Sequence, residues 1–395
     1  MGPRWLRGAV ASCVVAVLLG APISPSGPAA PIGPRVVGVA PVYCLNAMLD
    51  GYGDSAAGWS GGDSTWTTPL PGDRELFAFS DTFLAVTVTA AAHGAGRPGD
   101  APFVHNSFVV RGGDGRLSTI VGGRPDAPES LLAPADPGSW YWLGAATYLG
   151  GALQVPVGKW RADGAGPFDW EFAGSSVARF DPDDLARPTS VTRLGDSRGI
   201  QWGQWVAPGP EHTYVYGVAG RGAGRKLHVA RIAGTDLRDR LEYYDGRGWR
   251  RADATGEGRS VPIATGVSGE LSVHLLRRGL YLLVTTEGGP GLSDRIVGRF
   301  ASSPVGPFGP PRLLYRTPET GAAGSFGDPD VYTYNAHAHP EFSTRREVVI
   351  SYNVNSIDTA VGGDVYRDRR IYRPRFIKVT LAGPTGGAPA RPVCR

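Results

Sequence analysis

The chain has 395 residues, 40 basic and 36 acidic, with a formal net charge of +4. That balance, with arginines dispersed rather than clustered, argues against a nucleic-acid partner. Its 58 glycines and 34 prolines, the frequent Trp and Tyr, and the lack of any long run at the 3.6-residue helical period predict an all-β protein with a large core. The nearest helical candidate is the short stretch Asp181 to Leu185.

Residues 1–30 read as a signal peptide: Arg4 and Arg7, an apolar run from Ala9 to Leu19, then small residues to Ala29 and Ala30. Its removal would lower the net charge to about +2. The run is too short to span a bilayer and no second one follows, so the expectation is an exported protein, extracellular or held near the cell wall, with no membrane span after processing. Acylation of Cys13 after Val10-Ala11-Ser12 is a competing reading, but most of the apolar run lies beyond that cysteine. Residues 31–50 form a lead-in with Cys44, and residues 383–395 a tail with Cys394. In an oxidising compartment this even pair suggests a disulfide joining the ends, worth several kcal/mol in the chain-entropy account.

Gly61 to Phe83 is the most informative stretch. Pro69 to Asp73 reads as a hairpin turn and Arg74 to Phe79 as a strand, so Asp63 and Asp81 flank Gly72 symmetrically. Pairing in register would set them directly opposite, with Cβ atoms roughly 4.5–5.5 Å apart, where like charges destabilise. Two such carboxyls cannot both ionise easily, which leaves a proton donor beside a carboxylate, the equipment of a glycosidase. The alternative is a turn cap and a strand-end Asp bonding backbone amides, and a one-residue bulge would part them.

Apolar strand cores recur at LFAFSDTF (76–83), YLGGALQVPV (148–157), TYVYGV (213–218), YLLVTT (281–286) and VVISYNV (348–354), at intervals of about 67–70 residues. A second motif follows each: SFVVR, SVARF, HVARI, IVGRF and RFIKV. Five multi-strand units without linkers predict a single five-bladed β-propeller over 51–382, with blades of about four antiparallel strands and the ring closed near the termini. A pair of β-sandwiches is the runner-up.

GGDS at 61–64, LPGDRELFAFSDTF at 70–83, His105-Asn106-Ser107, and YNAHAHPEFS with VVISYNVNS between Tyr334 and Ser356 resemble the secreted actinobacterial family first filed as domain of unknown function 4185. The likeness is strong in the first and last repeats and weak between. It implies a five-bladed propeller shaped like furanosidases, in a family that includes endo-D-arabinanases, with Asp63 and Asp81 as the catalytic pair. The sequence departs at Ser64 and Ser80, where the family pattern more often has Gly, which puts backbone approach to a sugar in doubt.

Around the pair, His105 and Asn106 could face a central funnel, or be a partly buried His and a turn Asn. Gln201, Trp202, Gln204 and Trp205 open the third repeat, where a Trp could stack on a sugar or fill the core. Glu270 is a third-acid candidate or a solvated strand-end residue. His337 and His339 share a strand face; sugar hydrogen bonding by His337 is preferred to a metal site, since no further ligand lies at convincing spacing. Asn353 and Asn355 could join the funnel or be ordinary strand-edge polar residues. The run Gly220 to Lys226 lacks phosphate-loop spacing and reads as a hairpin loop, and there is no Gly-x-Ser-x-Gly elbow.

The reading is a monomeric, secreted glycoside hydrolase of arabinofuranosyl polysaccharide, needing no cofactor or metal. In-register carboxyls favour the short separation of retaining enzymes. A glycan-binding propeller without turnover and a purely structural envelope protein are the alternatives.

Overall fold

The computed structural model describes residues 33–85, 96–164, 166, 169–195, 199–252, 259–288, 293–383, 391 and 393. The chain is predominantly all-β. Of the seven sheets among the described residues, five of four or more strands follow one another along it; a three-stranded one, Gly58–Gly62, Thr82–Ala85 and Phe103–Val104, flanks the first, and a two-stranded one joins Gly122–Arg124 to Ala127–Glu129. Sheet 1 is ordered Trp66–Leu70, Arg74–Phe79, Ser107–Arg111, Leu117–Ile120. Sheet 2 runs Ser139–Leu143, Ala152–Ala162, Trp170–Asp181, Asp184–Arg193, with Thr147–Leu149 also on its second strand. Sheet 3 begins Ile200–Pro208, His212–Ala219, Lys226–Ala233. Sheet 4 runs Leu271–Arg277, Leu280–Thr286, Arg295–Ala301, Arg312–Arg316.

Sheet 5 explains the chain ends. Its order is Val331–Ala338, Glu347–Ser356, Pro374–Leu381, and then Val36–Pro41, the first described strand, as the outer member. The expected lead-in is therefore part of the fold. It continues into a helix, Tyr43–Asp54, which the sequence reading missed; conversely Asp181 to Leu185 is a turn between strands, not helical. The helix buries Leu45, Leu49 and Gly53, a stripe four residues apart. The Asn46 side chain bonds both the N–H and the carbonyl of Phe376, and wholly buried Arg373 reaches Asp54 at 2.8 Å and Asp50 at 3.3 Å. Gly53 is required there, because a Cβ would lie 2.7 Å from the Arg373 guanidinium. Cys44 is disulfide-bonded; Cys394 lies outside the described residues, as do the signal segment and Cys13.

Each repeated apolar core contributes the second strand of a sheet, and each following motif the third. These strands are buried on both faces between sheets, so they read as continuous apolar runs rather than alternating ones. Sheet 1 touches sheet 2 through Thr147–Leu149, sheet 2 touches sheet 3, and sheets 3, 4 and 5 meet through their first strands. Trp66 of sheet 1 stacks on His337 of sheet 5 at 4.0 Å. Among the described residues, no helix is long and apolar enough to cross a membrane.

Candidate active site

The hairpin pairs Trp66 with Ala78 and Leu70 with Arg74, a register centred on Gly72, whose φ of 71° the turn requires. The same register resumes beyond a break: Gly62 pairs with Thr82 and Gly61 with Phe83. Asp63 meets Asp81 inside this break, with the Asp63 N–H donating to the Asp81 carbonyl at 3.1 Å and the Ser80 N–H to the Asp63 carbonyl at 3.1 Å, so Ser80 and Asp81 together face Asp63 as in a bulge. Gly61 and Gly62 permit this approach, since a Cβ at Gly61 would meet the Tyr372 carbonyl at 2.6 Å, and one at Gly62 the Trp59 indole nitrogen at 2.8 Å.

The two carboxyls line one cavity of about 720 Å³, yet their surroundings differ. Asp63 Oδ2 accepts from the hydroxyls of Tyr334 (2.7 Å) and Tyr372 (3.3 Å), while its Oδ1 has no partner among the described residues. Burial first, and the nearby Asp81 second, push its pKa up to about 8 against the pull of those tyrosines. Asp81 Oδ1 instead accepts two N–H donors, His105 Nδ1 at 2.8 Å and Trp142 Nε1 at 2.8 Å. Glu270, at the head of sheet 4, is a third acid on the same cavity. Its Oε1 accepts from Ser64 Oγ at 2.6 Å, its Oε2 has no hydrogen-bond partner, and burial raises its pKa well above the ordinary value. Ser64 Oγ also meets Ser80 Oγ at 2.7 Å, and Ser80 Oγ accepts from the Leu143 N–H at 2.9 Å. Ser64 and Ser80 are therefore hydrogen-bonded to each other, and Ser64 also to the third acid.

Three of the five innermost strands are disrupted where they reach the cavity. Ser64 and Thr65 interrupt the hairpin with φ of 68° and 67°, a bulge at Gly203 and Gln204 shifts sheet 3, and one at Asn335 and Ala336 shifts sheet 5. Bulges re-aim side chains, and Ser64, Gln204 and Asn335 all line the cavity. Of the six non-glycine residues with positive φ among those described, Ser64, Asn335 and Tyr372 line the cavity and Thr65 adjoins it. Thr65 is held by Asn353, whose amide donates to its hydroxyl at 2.9 Å. Residues kept in such conformations cost of order 1–3 kcal/mol each and gather at functional sites.

Beside Asp81 stands a tryptophan wall that sequence reasoning overlooked. Trp140 and Trp142 alternate on the first strand of sheet 2, beside Trp160 and Trp170 of the next two. Trp142 lies 5.0 Å from Trp170 and 5.1 Å from Trp160, ring to ring, and His105 stacks on Trp140 at 5.1 Å. Edge-to-face aromatics exposed to a cavity suit the apolar faces of sugar rings.

The described family model for Domain of unknown function (DUF5005) matches residues 46–381. The chain belongs to this family. The likeness to domain of unknown function 4185 stays a resemblance of motifs, since the matching family is a different one. No curated protein matches the sequence. Among solved structures, "a putative hydrolase from Bacteroides ovatus ATCC 8483" is similar at a TM-score of 0.69, with 21% identity over 86% of this chain and 90% of that one, which supports a shared fold. Looser likenesses include a β-fructofuranosidase from Bombyx mori (TM-score 0.46, 10% identity, 85% and 65% covered) and an α-L-arabinofuranosidase from Podospora anserina (TM-score 0.42, 12% identity, 85% and 93% covered).

Of the residues singled out from sequence, Asp63, Asp81, His105, Gln201, Gln204, Glu270 and Asn355 line the cavity together. Others do not. Asn106 is buried, with its amide spent on the Leu132 backbone and the Tyr141 carbonyl. Trp202 and Trp205 are core residues, packed on Tyr243 and Trp66, because the Gly203 bulge turns Gln201 and Gln204 to the cavity in their place. His337 is walled off behind Ser64 and Thr65, stacked on Trp66, with its ring nitrogens at the Asn335 and Thr65 carbonyls; burial and His339 hold its pKa well below normal. His339 spends its nitrogens on Ser351 and Thr67, so neither ring offers a metal a free nitrogen. Asn353 supports the strained turn rather than the cavity. Carboxylate oxygens of Asp328, Asp330 and Asp364 do come within 4.8 Å of one another, but Asp364 is already satisfied by Ser356 and Arg367. Tyr334 and Tyr372 were missed because they meet Asp63 from the far end of the chain.

Proposed function

We propose that the protein is an exported glycoside hydrolase of arabinofuranosyl, D-arabinan-like cell-wall polysaccharide, with Asp63 as the proton donor and Asp81 as its carboxylate partner. The observation that carries this reading is the divergence of two facing aspartates: one enclosed, lacking a partner on Oδ1 and holding its proton to about pH 8, the other braced by two N–H donors. Asp63 would protonate the leaving oxygen as the glycosidic bond breaks, while Asp81 supports the cationic sugar, either by attacking the anomeric carbon or by taking a proton from the attacking water. The anomeric configuration of the first product separates these routes: retention assigns attack to Asp81, inversion assigns activation of water. Glu270, neutral by burial, would hold the Ser64 turn through its Oε1.

The five sheets are read as blades of one closed propeller. Support comes from the serial contacts of sheets 1 to 5, the Trp66–His337 stack across the seam, and the N-terminal strand that completes the last sheet. The disulfide at Cys44 is in keeping with an oxidising compartment, and a monomer is the expected state.

A glycan-binding module without turnover is the second reading, favoured by the tryptophan wall and by the Ser64–Ser80 contact, which fills space where the resembled 4185 family more often has Gly. The deciding experiment is release of oligosaccharides from D-arabinan and from L-arabinan by the mature protein, beside D63N and D81N. Release by the wild type and loss in both variants supports the hydrolase. Binding of either polymer by a folded wild type that releases nothing overturns it in favour of the module.

A further inference from the structure

We infer that the glycan this cavity takes carries an anionic substituent, a carboxylate or a phosphate, and that Arg225 is the side chain that recognises it. The inference rests on the reading of the cavity as a glycan site. Arg225 is the one Lys or Arg among the described residues that line the cavity. It comes from the Gly220 to Lys226 loop, which lacks the features of a phosphate-binding loop, yet whose last turn delivers a guanidinium to the cavity. Its backbone is pinned on both sides: its N–H donates to the Gly222 carbonyl at 3.3 Å, and its carbonyl accepts from Gly266 at 3.0 Å. These bonds fix the backbone from which the side chain reaches the cavity.

No described residue supplies the guanidinium with an anion. Among the described residues no carboxylate lies within ion-pair distance of it, and the neighbouring charge is a second cation, Arg221, which together with burial lowers the Arg225 pKa. Arg221 is itself tied by a 2.7 Å bond to the Trp170 carbonyl, so the two cations stand at the Trp170 end of the tryptophan wall. The other charged groups on the cavity are committed elsewhere: Asp169 accepts from the Gly166 N–H at 2.8 Å, Asp81 from His105 and Trp142, Asp63 from two tyrosines, and Glu270 from Ser64. Buried arginines with a structural task look different here. Arg373 has Asp50, Asp54 and the Ser60 carbonyl, and Arg97 has the carbonyls of Ser60, Val365, Arg369 and Ile371. A half-buried guanidinium without counter-charge is disfavoured by desolvation, and neutral sugar hydroxyls do not restore the balance. A carboxylate or phosphate does, because its paired oxygens match the planar fork.

The test is calorimetric titration of the wild type, Arg225→Gln and Arg225→Lys with three probes: a neutral arabinofuranosyl oligosaccharide, the same oligosaccharide bearing a uronic-acid carboxylate, and the same bearing a phosphate monoester. The expected result is that the wild type prefers one charged probe to the neutral one by roughly ten- to a hundredfold, as for a charge-assisted hydrogen bond. That preference should weaken with added salt, fall to about unity in Arg225→Gln and return in part in Arg225→Lys; whichever charged probe is preferred identifies the substituent. Binding of the neutral probe with no preference for either charged one, or a preference that survives Arg225→Gln, overturns the Arg225 assignment alone. Failure of all three probes to bind overturns the glycan reading and the assignment with it.

Discussion

Replacing Asp63 with Asn should stabilise the protein near neutral pH while abolishing its chemistry. In the folded chain the Asp63 carboxyl keeps its proton to about pH 8, whereas in the unfolded chain it loses it near 3.8. Because the folded value is the higher one, the contribution of Asp63 to stability is full below about pH 4 and declines as pH rises towards 8. At about 1.4 kcal/mol per unit, the three units between the unfolded value and pH 7 set a ceiling of about 4 kcal/mol. Asp63 keeps some exposure to the cavity, and solvent screening brings the expectation to about 2 kcal/mol. Asn cannot ionise and retains a carbonyl oxygen for Tyr334 and Tyr372. Urea denaturation of wild type and D63N between pH 4 and pH 8 should therefore show the variant gaining about 2 kcal/mol relative to wild type as pH rises. Hydrolysis should meanwhile fall by roughly 10²–10⁴. A stability difference that does not change with pH would refute the claim that Asp63 is the protonated partner.

Asp81→Asn removes the like charge facing Asp63, so the inflection that D63N abolishes should move to lower pH in this variant; an aryl furanoside with a good leaving group should rescue D63N but not D81N. Trp142→Phe keeps the stack on Trp160 and Trp170 but deletes the N–H on Asp81, and should lower kcat roughly tenfold with little change in KM, as for one hydrogen bond to a charged group. Ser64→Gly relieves a φ of 68° and removes a hydroxyl from Glu270, so the strain and hydrogen-bond terms should nearly cancel in thermal unfolding while the pH dependence of activity changes. Arg373→Met strands Asp50 and Asp54 at the helix and should cost about 3 kcal/mol in denaturant titration.

The hairpin about Gly72 could be read from sequence because turn chemistry and strand pattern agree there, and the same register reappears at Gly62 and Thr82, next to Asp63 and Asp81. The five strand cores were legible because burial on both faces writes them as apolar runs. What sequence concealed has identifiable causes. A left-handed Ser64 or Thr65 has no signature in residue type, so the break beside Asp63 could not be foreseen. Past Trp202 simple alternation does not hold, because Gly203, at a φ of 88°, belongs to a bulge that returns Gln204 to the cavity face of Gln201 and leaves Trp205 on the core side with Trp202. The helix Tyr43–Asp54 has a three-residue stripe ending in glycine, too thin to stand out by period. Trp140 and Trp142 carry the period of two that marks a strand, but which face looks into the cavity is fixed by the sheet they join.

A β protein that merely held a glycan would have little use for what surrounds Asp63. Stacking on tryptophan and hydrogen bonding to Gln201, Gln204 and Asn355 need neither an enclosed carboxyl nor an enclosed Glu270, each with an oxygen lacking a partner. Nor do they need Ser64, Thr65, Asn335 and Tyr372 in conformations that cost of order 1–3 kcal/mol apiece. Those costs fall on the residues that build Asp63's surroundings: Ser64 and Thr65 follow it directly, and Tyr372 bonds it from a strained backbone. The buttressing is equally local, with Asn353 on Thr65, Glu270 on Ser64, Gly61 against the Tyr372 carbonyl and Gly62 against Trp59. Opposing free-energy terms of that size persist together where a protonated acid must be held against a second carboxyl, which is a requirement of bond cleavage and not of recognition.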